Sequence, residues 1–87
     1  MTKKLEWSET KNKWLIKNRN ISFEKIKVAI EKGHILDDQQ HPQLSHQRLL
    51  IVVINNYAYV APYVEDEQKI FFKTIYPSRE HTKQYLK

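Results

Sequence analysis

The sequence predicts an α+β domain in which two N-terminal helices pack on a twisted, mainly antiparallel sheet that ends in a short C-terminal helix. Three observations predict it. A helix-period stripe occupies residues 23–32, with Phe23, Ile26, Ala29 and Ile30 on one face and Lys25, Lys27, Glu31 and Lys32 on the other. Strand-like runs then fill 48–54, 57–64 and 69–76, the first two joined by Asn55-Asn56, a pair that tolerates the positive φ of a type I′ turn. Pro77 and Ser78 stop the last run and start a polar segment that can form one short helix.

The remaining elements follow in chain order. Residues 3–7 alternate weakly and read as a first strand, and Ser8 is placed to cap a helix over 9–18 with Trp14 and Leu15 turned inward. Asn18-Arg19-Asn20 breaks that helix, Asn20 being suited to a left-handed conformation. Ser22 caps the second helix, and Ile21 before the cap and Ile26 inside it are spaced as a hydrophobic staple. Gly33, the only glycine, falls where a C-terminal cap belongs. Residues 34–38 read as a short strand, and 39–47, polar and aperiodic, as a mobile loop. Residues 65–68 form a turn, and Pro62, lacking an N–H, requires a bulge or a break in its ladder.

The two-residue turn pairs Ile54 with Tyr57, Val52 with Tyr59 and Leu50 with Ala61. One sheet face then carries Leu50, Val52, Ile54, Tyr57, Tyr59, Tyr63, Ile70, Phe72 and Tyr76. The other carries Leu49, Ile51, Val53, Ala58, Val60, Val64, Phe71, Lys73 and Ile75. Both are apolar, and two helices cover one of them. The expectation is that the helices take the Ala/Val face, which leaves the tyrosine face to a partner chain, a second copy or a nucleic acid.

Eighty-seven residues make one domain, 1–87. Without cysteine there are neither disulfides nor thiolate metal sites, and the four histidines lack ligand spacing, so no metal or cofactor is expected. The N-terminus is charged, and no apolar run approaches the ~18 residues of a membrane span, so a cytoplasmic protein with no membrane partner is expected. The net charge of +5 is uneven: residues 1–33 hold nine Lys/Arg and four acids, 34–68 one and five, 69–87 five and one. Basic ends around an acidic middle favour an oriented encounter with an anion. The stretch from Lys69 to Lys87 sets Lys69, Lys73, Arg79, Lys83 and Lys87 against Glu80 alone and adds His81 and Tyr85. That combination is suited to holding a polyanion and to moving protons on it.

The segment Leu5-Glu6-Trp7-Ser8-Glu9-Thr10-Lys11 resembles the Phe-x-Trp-Asp-x-x-Lys opening of BrnT-like toxins, a branch of the RelE/ParE toxin–antitoxin superfamily. Asn18-Arg19-Asn20-Ile21-Ser22-Phe23-Glu24 is similar to that family's Lys-His-Gly-Val-Ser-Phe-Glu, with the Trp-to-Phe spacing kept. Tyr76-Pro77-Ser78-Arg79 is similar to its late Ile-Ser-Ala-Arg. Arg19 stands where the family has histidine and Asn20 where it has glycine. The resemblance implies a RelE-like fold and a type II toxin, an endoribonuclease that cleaves mRNA and arrests growth. It also implies a cognate DNA-binding antitoxin.

Metal-free RNA cleavage needs the 2′-hydroxyl deprotonated, the phosphorane stabilised and the leaving 5′-oxygen protonated. Arg79 is the first candidate for the phosphorane, because a guanidinium binds two phosphate oxygens in one plane. Lys73 and Lys11 are supporting cations. His81 and Tyr85, four apart on one helix face, are candidates for acid and base, with His46 beside Arg48 as the other option. Arg19 can hold phosphate but cannot act as a base. The expected catalytic set is therefore Arg79, His81, Tyr85 and Lys73, with Lys11, Arg19, His46 and Arg48 on the substrate and cations from both termini converging on one phosphate. A non-catalytic RNA- or protein-binding module and a gyrase poison of the ParE type are the alternatives. A homodimer or toxin–antitoxin heterocomplex is the expected assembly.

Overall fold

The computed structural model describes residues 3–86; Met1, Thr2 and Lys87, the last of these counted in the basic tail, lie outside the described residues. In chain order the elements are β1 (Lys4–Trp7), α1 (Glu9–Arg19), α2 (Phe23–Glu31), β2 (Ile35–Gln40), β3 (Arg48–Ile54), β4 (Tyr57–Glu65), β5 (Lys69–Phe72), β6 (Tyr76–Pro77) and α3 (Arg79–Tyr85). The fold is α+β, with three helices and an open six-stranded sheet in the order β1-β5-β4-β3-β2, β6 continuing beside β4. The sheet is mixed, because β1 runs parallel to β5 while the other pairs are antiparallel.

The local punctuation acts as the sequence predicts. Ser8 Oγ accepts from Lys11 N and Ser22 Oγ from Lys25 N, each at 3.3 Å, satisfying helix-start donors. Asn20 (φ 53°) and Gly33 (φ 77°) adopt the left-handed conformation at the helix ends, and Asn55 (φ 52°) and Asn56 (φ 61°) form the type I′ turn. The register Ile54↔Tyr57, Val52↔Tyr59, Leu50↔Ala61 follows from that turn. Helix α1 differs in one respect: Leu15 is buried, but Trp14 is 43% exposed. The inward positions are Asn12 and Leu15, three apart on one face, and Trp14 lies off that line.

The expected assignment of sheet faces is reversed. Leu15, Ile21, Phe23, Ile26, Ala29 and Ile30 from the first two helices pack on Leu50, Val52, Ala61, Tyr63, Ile70 and Phe72, the face with the tyrosines, not on the Ala/Val face. Aromatic volume explains the choice. Trp7 stacks on Phe23 (centroids 5.5 Å), Phe23 on Phe72 (6.2 Å), and Tyr63 meets Phe72 edge-on (6.1 Å), joining β1, α2, β5 and β4 through one continuous set of rings.

The opposite face, with Leu49, Ile51, Ala58 and Val60, expected to take the two N-terminal helices, is covered by α3 instead, so neither face is left open. These side chains are buried with Leu36 beside them, and α3 lies across this side from β4 to β2. The inference of a partner from an uncovered face therefore loses its premise.

The last strand also differs from the continuous run expected over 69–76. Phe72 pairs with Tyr63, but Pro77 pairs with Tyr59, so the outer strand holds one residue more than β4 over the same stretch. The extra residue sits opposite Pro62, whose carbonyl accepts from Lys73 N at 2.8 Å and which has no N–H to offer on that side. Ile75 is thereby turned into the helix-covered core instead of the second face.

Candidate functional site

Helix α3 carries the densest set of chemistry-bearing side chains. Ser78 caps it, its Oγ accepting from His81 N at 3.2 Å and lying 2.7 Å from His81 Nδ1. Thr82 Oγ1 donates to Ser78 O (2.7 Å) and accepts from Ala58 N (2.8 Å), which fastens the first turn to β4. Tyr85, four residues beyond His81, stacks nearly parallel to its ring (centroids 6.3 Å, 6° between planes). The Tyr85 hydroxyl donates to Asp37 Oδ2 on the edge strand β2 at 2.8 Å. Both ends of a seven-residue helix are thus tied to the sheet, which a helix this short needs in order to persist.

Asp37 is an acceptor on every side. Its Oδ2 also receives Gln39 Nε2, and its Oδ1 receives Asp38 N, each at 2.8 Å. Hydrogen bonds from Gln39, then Tyr85 and the Asp38 N–H, hold its carboxyl below the usual aspartate range, with the charge of His81 adding to the effect. The same bond holds Tyr85 above the ordinary tyrosine value, so its hydroxyl keeps its proton. Tyr85, expected as an acid or base, is thereby a donor locked on Asp37. His81 is different: Nδ1 is held by Ser78, and Nε2 has no hydrogen-bond partner among the described residues. Arg79 and Lys83, also four apart, are exposed on the outer side of α3 and form no ion pair among the described residues.

The other expected site residues lie elsewhere. Lys11 and Arg19 belong to α1, on the opposite side of the sheet from α3, so cations from the two ends of the chain do not close on one phosphate. Lys11 Nζ sits 4.3 Å and the Arg19 guanidinium carbon 5.0 Å from the Trp14 ring centre, cation–π contacts that hold the exposed indole. Arg19 Nη1 also donates to Ile75 O at 2.7 Å, bracing the bulge rather than standing ready for a substrate. Lys73 is exposed, its Nζ 5.6 Å above the Phe71 ring. His46 lies exposed in the 41–47 loop.

That loop, expected to be mobile, carries hydrogen bonds of its own. His41 Nδ1 accepts from Gln43 N and Leu44 N, and His41 N donates to Gln47 O, each at 3.1 Å.

Arg48 is engaged in a second network. Its Nε donates to Asp38 Oδ1 and its Nη2 to Asp38 O, both at 3.0 Å, while the Tyr63 hydroxyl donates to both Asp38 oxygens at 2.9 and 2.8 Å. Burial, then the bond to Asp38, pushes the Tyr63 hydroxyl up to about 12. Asp38 raises the Arg48 value further, so this guanidinium stays charged and occupied.

Sequence reasoning passed over Asp37 and Asp38. Two adjacent acids inside a predicted strand, where acids are disfavoured, were the available signal. They face opposite sides of β2, and each receives a tyrosine from a different layer.

Among the described residues no helix is long and apolar enough to cross a membrane, and no cluster of His, Asp or Glu is arranged to hold a metal ion. No family model matches the chain, and neither curated proteins nor solved structures provide a match.

Proposed function

We propose that this chain is a RelE-like toxin ribonuclease of the BrnT kind, cutting RNA without a metal from a site centred on α3. The observation that carries the reading is His81. Its Nδ1 is fixed by Ser78 and its ring by Tyr85 and Asp37, while Nε2, without a hydrogen-bond partner among the described residues, is left to exchange a proton on a helix whose outer side carries Arg79 and Lys83.

In this reaction the 2′-oxygen bonds to phosphorus, the bond to the 5′-oxygen breaks, and the products are a cyclic phosphate and a 5′-hydroxyl. His81 Nε2 exchanges the proton of the 2′- or the 5′-oxygen, with water completing the other transfer. Arg79 stabilises the dianionic phosphorane, and Lys83 adds positive potential. Tyr85 and Asp37 are positioning residues. The site would act on cytoplasmic mRNA, and a cognate DNA-binding antitoxin would hold the toxin in check, as a heterocomplex or a homodimer-based assembly.

Expression of the chain alone in a bacterial host tests the reading. Growth should halt, mRNA should be cut, and the purified protein should cleave RNA in the presence of a chelator. Arg79→Ala and His81→Ala should each relieve growth and leave RNA whole. Robust growth of the parent with intact RNA ends the proposal.

A second reading, a non-catalytic RNA-binding module, is favoured by the Tyr85 hydroxyl being locked as a donor, which leaves His81 as the one free proton-transfer group among the described residues of α3. It predicts salt-dependent RNA retention with no cleavage products.

A further inference from the structure

A groove of about 660 Å³ runs between α2 and the end of the β3–β4 hairpin. Its floor is aliphatic, from Val28, Ala29, Val53 and Ile54. Val28 is 44% exposed although it lies on the helix that sends Phe23, Ile26, Ala29 and Ile30 into the core. The rim carries Lys25, Lys32 and His34, and the only carboxylate on it, Glu24, accepts from Asn12 Nδ2 at 2.8 Å. Apolar floor and cationic rim together select the occupant: apolar side chains to fill the trough, flanked by carboxylates to meet the lysines. No Phe, Tyr or Trp lines the groove, and its aliphatic floor offers no platform on which successive bases could stack, which favours a protein over an RNA.

We infer that this groove is a docking site for an acidic, amphipathic segment of another protein, seated with its apolar stripe over Val28 and Ile54 and its carboxylates on Lys25 and Lys32. The groove lies on the α2 side of the sheet and α3 lies across the other, so the site is independent of the ribonuclease reading.

A labelled synthetic amphipathic peptide of leucine and glutamate, followed by fluorescence anisotropy and by amide shifts on the full chain, tests it. The peptide should bind, shift Val28, Ile54 and Asn55, and lose about tenfold or more in affinity with the double variant Lys25→Glu/Lys32→Glu or with Val28→Glu. All three positions are exposed, so both variants should melt with the parent, and RNA cleavage, where the parent shows it, should persist in them. Equal binding of the lysine-for-glutamate peptide, shifts confined to other surfaces, or no binding would overturn the inference. So would an RNA oligonucleotide whose binding these variants weaken, or self-association of the parent that Val28→Glu abolishes.

Discussion

Asn12 is the buried polar residue of the core, 3% exposed, and its removal is a sharp test of how α1 and α2 are joined. Its Oδ1 accepts from Phe23 N at 2.8 Å and its Nδ2 donates to Glu24 Oε1 at 2.8 Å. Phe23 opens α2, so its N–H has no carbonyl partner within the helix, and its side chain is fully buried. Asn12→Ala strands that donor at about 1–3 kcal/mol and removes a partly exposed bond worth about 0.5–1 kcal/mol. The sum, about 1.5–4 kcal/mol, compares with a total of about 4–13 kcal/mol for a chain of this length.

Thermal denaturation should therefore fall by on the order of 10–20 °C. Asn12→Leu separates bond from volume: it fills the site but also strands the N–H, so it should be no more stable than Asn12→Ala. Urea unfolding of parent and both variants gives the free energies directly. A loss below about 0.5 kcal/mol for Asn12→Ala, within the range of ordinary surface substitutions, would refute the reasoning. Recovery of parental stability by Asn12→Leu would show that packing, not the hydrogen bond, joins the helices.

Three further outcomes follow from the same geometry. Tyr85→Phe removes the tie between α3 and β2 and should speed hydrogen exchange at the Thr82 and Leu86 amides with little change at β3 amides; uniform acceleration would contradict a local tie. Tyr63 has its folded value raised above the unfolded one, so its contribution is complete below about pH 10 and is lost as pH rises towards 12. Urea melts at about pH 9 and about pH 11 should show a steeper alkaline loss for the parent than for Tyr63→Phe. Thr74 Oγ1 is buried with no hydrogen-bond partner among the described residues, so Thr74→Val should raise stability by about 1 kcal/mol, and a lower melting temperature would contradict this.

What could be read from the sequence was local. Caps, turns and the β3–β4 register depend on a few adjacent residues, and Ser8, Ser22, Gly33 and the Asn55-Asn56 pair each had a physical reason for their place. The choice of sheet face was not legible, because both faces of β3 are apolar and periodicity cannot rank them. Ring stacking among Trp7, Phe23, Phe72 and Tyr63 ranks them, and that is a property of four distant segments. The spacing between Trp7 and Phe23 that carries the toxin resemblance is accounted for by this packing.

At the site, helix periodicity put His81 beside Tyr85, but nothing in the chain order pointed to Asp37, which lies 48 residues from Tyr85. Arg19, Lys11 and Arg48 looked like substrate cations because charge is visible in a sequence, whereas the carbonyl, indole and carboxylate that occupy them are not.

Pro62 connects these points. In an uninterrupted strand Ile70, Phe72, Thr74, Tyr76 and Ser78 would share one face, which would send α3 to the side already filled by α1 and α2. The missing N–H of Pro62 removes one rung, the facing strand gains one residue, and alternation inverts beyond it. Ile75 then enters the main core, Pro77 pairs with Tyr59, and Ser78 N reaches Ala58 O at 2.9 Å on the second face. Helix α3 starts from that Ser78, so its His81 and Tyr85 cross the Ile51–Ala58 patch to Asp37. The apolar second face and the placement of the candidate site thus have one cause: a proline in β4 that turns the end of the chain onto the side the other two helices leave free.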